Sequence, residues 1–193
     1  MGLGNPGAAY ADHRHNLGFR VVERVAERAH VRLQDEVCAA RSGAFGSTVL
    51  ALPQTFMNRS GFAVRCLAER AGVVAGDVLV VYDDVALPLG RMRARPGGSA
   101  GGHRGMESVL ENLRTGEVPR LRLGIAPEGG FEPGSDLAPW VLSPFSEAEL
   151  PLVAELVERA ADAVETWLRE GIVAVMNRCN AGTVAAPLPP RIE

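Results

Sequence analysis

The chain has 193 residues, 47% hydrophobic and 22% charged, with a formal net charge of −3 and no lysine among its 20 basic residues. That length suits one domain with a substantial core. The charge excludes nucleic-acid binding driven by overall positive charge, the lack of lysine excludes Schiff-base chemistry, and no apolar run approaches the roughly 18 residues of a membrane span.

Residues 2–7 (GLGNPG) read as a short apolar piece ending in a Gly/Pro turn. A strand here wants several apolar residues ahead of Gly2, so either it is very short or the true start lies upstream of Met1. His15-Asn16 opens a helix over 17–30, with Phe19, Val22, Val25 and Ala26 on one face. Residues 31–52 read as β, with short strands near 43–46 and 48–52. A second amphipathic helix spans 60–71, with Ser60 as its N-cap. Asp77 to Tyr82 form a continuous apolar strand of the buried, parallel kind. Residues 90–95 alternate like a half-exposed strand, a Gly-rich loop over 96–102 leads into a helix near 105–114, and 120–125 are another strand. A polar Gly/Pro loop covers 127–136. A long helix spans 146–169 with Leu150, Val153, Leu156, Val157 and Ala160 on its stripe, and a short one follows over 171–179.

Strands alternating with helices predict an α/β fold. The expectation is a single globular domain over residues 1–181 with a mixed, mostly parallel, twisted sheet sandwiched between helices. The tail 182–193, rich in Ala and Pro, reads as disordered. Cys38, Cys66 and Cys179 are odd in number and far apart, with no CxxC, and read as buried free thiols. No secretory signal precedes the first turn, so the expected compartment is the cytosol.

The chemistry-bearing residues cluster around turns. Asn5, His15 and Asn16 fall near one strand-to-helix turn, where ligands collect in α/β proteins. His15 is the candidate general base, because imidazole works near neutral pH. It needs an orienting carboxylate; Asp83, ending the buried strand, is the candidate and Asp84 the competitor. There is no GxSxG elbow, no HExxH and no cluster with metal-ligand spacing. A His–Asp pair without a protein nucleophile points to activation of water, hence hydrolysis. Asn58, after Thr55-Phe56-Met57, either ties down its loop or offers its amide to a peptide-like ligand. Phe56 and Met57 would supply an apolar wall. The loop 97–102, followed by His103-Arg104 at a helix start, reads as either a flexible turn or an anion site. Arg91, Arg93 and Arg95 share one strand face, either a solvated edge or a track for a phosphate backbone.

Six segments, in order from Gly2 to about Asn180, resemble the bacterial peptidyl-tRNA hydrolase family. They are GLGNPG-x2-Y, RHN-x-GF, TFMN-x-SG, YDD-x3-LP-x-G, R-x-R-x3-GSAGGH-x-G and RLR-x-GI. Each is weak alone; six in register are specific. The resemblance implies a monomeric, metal-free, cofactor-free cytoplasmic esterase that cleaves peptide from tRNA in peptidyl-tRNA. It implies His15 as the base and Asp83 as its support. Asn5 would distinguish blocked peptidyl from free aminoacyl esters. Tyr10, Phe56, Met57 and Asn58 would wall the substrate site, with His103 and Arg104 beside it. Arg93, Arg95 and Arg122 would face the tRNA. Two departures stand out. The family's GGHNG is here Gly101-Gly102-His103-Arg104-Gly105, and Ala86 occupies a usually acidic position. Intact His15, Asp83, Asn5 and Asn58 favour an enzyme over a non-catalytic RNA-binding relative.

Overall fold

Two-residue turns decide the first sheet. In the computed structural model, which describes residues 1–180, β1 (Asp35–Val37), β2 (Ala40–Phe45) and β3 (Thr48–Pro53) are joined by Cys38-Ala39 and Gly46-Ser47. Cys38, Ala39 and Gly46 take φ of 56°, 50° and 55°, the left-handed backbone that tight hairpins need. Such hairpins pair neighbours antiparallel, and the order is β1-β2-β3, antiparallel throughout.

The second sheet has the order β4-β6-β5, from β4 (Val80–Pro88), β5 (Met92–Arg95) and β6 (Arg120–Ala126). β6 runs parallel to β4 and antiparallel to β5. The expectation of a mostly parallel sheet is therefore wrong. Among the described residues, β4/β6 is the one parallel ladder between named strands. β5 and the helix Arg104–Leu113 both lie between them in sequence, a connection long enough to bring β6 back beside β4 in the same direction, while β5 takes the edge antiparallel to β6. β4 also starts later than expected, after a 3-10 turn at Ala75–Asp77, and runs on past Asp84 with a register shift before Pro88. The first residues stitch the sheets together. Gly2 N donates to Ala51 O of β3, and Leu3 N to Val81 O of β4. The expected first strand is reduced to one parallel bridge, Gly2 with Val81.

Helices cover both faces of the second sheet. α1 (Leu17–Arg28), α5 (Leu150–Glu170) and α6 (Ile172–Cys179) share one core with Val81, Leu121, Leu123 and Ile125. α2 (Ser60–Ala71) and α3 (Arg104–Leu113) close the other face over Val80 and Tyr82. A short α4 (Ala138–Val141), absent from the sequence reading, follows the 127–136 loop. Ser60 is the first residue of α2 rather than its cap, and its hydroxyl donates to Met57 O at 2.9 Å. Gly18 brings the start of α1 against the sheet: a Cβ there would lie 2.3 Å from Val81 O and 2.6 Å from Leu3 O. Among the described residues, no helix is long and apolar enough to cross a membrane. The tail expected to be disordered lies outside the described residues.

Cys38 and Cys66 form a disulfide, against the expectation of free thiols, and Cys179 remains free. The physical reason is tertiary. The β1–β2 turn sits on α2, so residues 28 apart in sequence have Cα atoms 5.6 Å apart, inside the range a disulfide spans. Closing a loop of that length stabilises by roughly 3–4 kcal/mol in the chain-entropy account.

Candidate active site

His15 is held from both sides. It is the middle residue of a 3-10 turn, Arg14–Asn16. Asn16 Nδ2 donates to Asn5 O and Asn16 Oδ1 accepts from Asn5 N, both at 2.9 Å. Arg14 N donates to Ser143 O at 2.9 Å. The Arg14 guanidinium makes a two-pronged bond to Glu149 at 2.9 and 2.8 Å, and stacks on Trp140 and Phe145. A buried cation with a bidentate carboxylate and two aromatic faces fixes the backbone beside it. The sequence reading missed Arg14, because its partners lie some 130 residues further on.

This pair carries a pH prediction. The hydrogen bond from Arg14 is the first cause that lowers the Glu149 carboxyl to about 2; burial opposes it and Ser146 assists. A carboxyl lowered in the folded state stabilises the fold above its unfolded value and loses that contribution as pH falls toward the folded value. The melting temperature is expected to fall between about pH 4.5 and pH 2, with Glu149→Gln flattening that stretch. An identical slope in the variant would remove the pair from acid stability.

Asp83, not Asp84, is the carboxylate that meets His15. His15 Nδ1 lies 2.9 Å from both Asp83 oxygens. Asp84 accepts from Ala86 N at 2.8 Å and pairs with Arg122. Asp83 is almost wholly buried. Burial alone would raise its carboxyl; His15 and His103 outweigh that and hold it well below the usual carboxylate range. An ionised Asp83 can only accept, so Nδ1 of His15 carries the proton and Nε2 is left as the basic nitrogen.

His103 Nε2 lies 3.2 Å from Asp83 Oδ1, so a third group joins the pair. The facing atoms of His15, Asp83 and His103 lie within 4.8 Å of one another. Sequence spacing gave no sign of such a cluster. These are metal-ligand types, but the facing nitrogen of His15 already carries the proton shared with Asp83. A metal would have to displace it.

Asn5 ties the first turn to the next wall. Its Oδ1 accepts from Met57 N at 2.8 Å, so among the described residues its amide NH2 is the group left without a partner. Asn58 is exposed and makes no hydrogen bond with a described residue. Of its two readings, tying the loop falls to Asn5 instead. Gly105 lets Met57 approach: a Cβ there would lie 2.4 Å from the Met57 sulfur.

A cavity of about 520 Å³ gathers these groups. Asn5, His15, Phe56, Met57, Asn58, Asp83, His103 and Arg104 all line it. Tyr10 stands outside that lining, edge-on to Phe56 at 6.4 Å. Residues 135–138 with Val141 and Leu142 form a wall the sequence reading missed. The available signal was Asp136, whose carboxylate caps Ala138 N, followed by Pro139 at a helix start.

The basic residues divide. Arg93 and Arg95 are exposed. Arg93 pairs in register with Arg122 across the β5/β6 ladder, so the two share a face. Arg122 is held by Asp84. Arg91 lies before β5 rather than within it. Arg120 is buried and clamps the Gly-rich loop, donating to Ser99 O at 2.8 Å and to Gly116 O at 3.0 Å. Arg104 is exposed at the first position of α3 and makes no ion pair with a described residue.

The sequence model of the family described as peptidyl-tRNA hydrolase matches residues 1–187. A peptidyl-tRNA hydrolase of Methylacidiphilum infernorum is 43% identical over 182 residues, covering 94% of this chain and 96% of that one. One from a Roseiflexus species is 46% identical over 194 residues, covering 94% and 84%. The crystal structure of the peptidyl-tRNA hydrolase from Acinetobacter baumannii superposes with a TM-score of 0.84 at 31% identity, covering 93% of this chain and 92% of that one.

Proposed function

The chain belongs to the bacterial-type peptidyl-tRNA hydrolase family, and from that premise we propose how its residues divide the work of hydrolysing peptidyl-tRNA. His15 Nε2 takes a proton from water. The hydroxide adds to the ester carbonyl that joins the peptide to the 3′-terminal ribose of tRNA. The carbon–oxygen bond to the ribose then breaks, and the imidazolium returns the proton to the departing ribose oxygen. Asp83 stabilises the imidazolium through Nδ1–H without itself taking the proton. The observation that carries this reading is the His15 Nδ1–Asp83 contact at 2.9 Å, in a cavity that His15 itself lines.

The free amide groups of Asn5 and Asn58 are donors suited to peptide carbonyls. Phe56 and Met57 supply the apolar side of the peptide site, with Tyr10 set edge-on to Phe56 outside the cavity lining. The enzyme acts as a monomer on the acceptor end of the tRNA, and its compartment is the cytoplasm. The test is release of N-acetyl amino acid from N-acetyl-aminoacyl-tRNA, with unblocked aminoacyl-tRNA as control and EDTA present. Release from the blocked substrate alone is expected. Equal release from both would remove Asn5 as the discriminating group.

With a net charge of −3, affinity for tRNA has to come from a local set: Arg93, Arg95, Arg122 and Arg104. Arg104 extends from the start of α3, where an anion also meets the helix N–H groups. Arg104→Ala is expected to raise KM for tRNA substrates and to lower the salt slope of binding by about 0.7–0.9, with kcat little changed. Arg104→Asn, which restores the family residue, stays active. A fall in kcat at constant KM would instead put Arg104 inside the catalytic centre.

A further inference from the structure

We propose that His103 is a positioning residue, fixed as the neutral Nε2–H tautomer, that aims the Asp83 carboxylate at His15. This rests on His15 being the base and assigns His103 a task other than gripping substrate.

The tautomer follows from the helix start. His103 is the N-cap of α3, and its Nδ1 accepts from Met106 N at 3.1 Å. A backbone N–H can only donate, so Nδ1 carries no proton. The ring's one proton is then on Nε2, which points at Asp83 Oδ1 across 3.2 Å. Protonating Nδ1 would break the cap, and moving the proton from Nε2 to Nδ1 would break both bonds at once. The ring has little freedom to escape. It packs against Tyr82 at 4.7 Å and His15 at 5.0 Å between centroids, and 90% of its side-chain surface is covered.

The consequence falls on Asp83. His15 Nδ1 sits equally far from both carboxylate oxygens, so it does not by itself set the rotation of the carboxyl group. The His103 bond to Oδ1 alone removes that freedom. It also supplies a second donor in a site where Asp83 is nearly sealed from water, keeping the carboxylate ionised and ready for the His15 imidazolium. The anchor is rigid because it is a helix terminus, itself placed by the loop that Arg120 clamps.

Two variants separate the cap from the donor. Asn is a strong N-cap but too short to span to Asp83; Ala lacks both functions. His103→Asn and His103→Ala are each expected to lose roughly tenfold in kcat with KM within about twofold of wild type. His103→Ala should melt about 2–4 °C below His103→Asn, for loss of the cap. In ¹⁵N imidazole spectra of the wild type at pH 7.5, His103 should show a bare Nδ1 and a protonated Nε2. Wild-type kcat in His103→Asn, a raised KM at unchanged kcat, or a protonated Nδ1 in the spectra would each overturn the proposal. His15→Ala, assayed alongside, keeps the outcomes distinct: an inactive His15 variant beside a fully active His103→Asn sinks this inference and leaves the base assignment standing.

Discussion

His15→Ala is expected to lose between about 10² and 10⁴ of the turnover, the range attributed to a positioned general base, while tRNA binding and folding stay close to wild type. The fold effect is small because His15 is not a core side chain; its turn is held by Arg14 and Asn16 on either side. The rate effect is large because none of the other three histidines is placed to take over. His103 has its Nδ1 occupied by Met106 N and its Nε2 turned to Asp83. His13 lies outside the cavity lining, and so does His30, which follows the C-terminal cap of α1. The measurement is single-turnover release of N-acetyl amino acid at saturating enzyme, with binding followed separately. Near-wild-type turnover would take His15 out of the mechanism.

Asp83→Asn is expected to cost roughly 10² in kcat, less than loss of the base, with little change in KM. Asn is close in size, so the cavity is not the cause. The Asn amide has one acceptor oxygen where the carboxylate has two. If that oxygen takes the His103 proton, the NH2 group faces His15 Nδ1, and His15 is driven to the tautomer with its proton on Nε2. That nitrogen is then no longer a base. Asp83→Ala is a different experiment: two imidazole N–H groups lose a buried partner, at about 1–3 kcal/mol each, and stability should fall together with activity. Full turnover in Asp83→Asn would show that His15 needs no carboxylate. By contrast, Asp84→Asn should weaken tRNA binding through Arg122 and leave kcat near wild type.

The site was legible where chemistry and local order coincide. His15 next to Asn16, Asn5 in a Gly/Pro turn, and Asp83 on an apolar strand are each readable from neighbours a few residues away. The structure brings all three to one cavity. The competition between Asp83 and Asp84 was not legible, since both are carboxylates on one strand. Which of them meets His15 depends on the pleat of β4, which turns adjacent side chains to opposite faces, and on Arg122 across the ladder capturing Asp84.

Composition, helix periodicity and the order of the six motifs by themselves determined the family, the helices that flank the sheet and His15 with a neighbouring carboxylate as the candidate chemistry. These are properties of short windows: an apolar stripe every three to four residues, or a polar group placed at a turn. Tertiary structure alone decided how β4, β5 and β6 pair and in what direction, that Cys38 reaches Cys66, that Arg14 anchors the His15 turn through Glu149, and that His103 completes the Asp83 cluster. Each of those contacts joins residues 20 or more apart. Nothing in a local window records the distance between such groups, because that distance is set by how the helices and the two sheets pack.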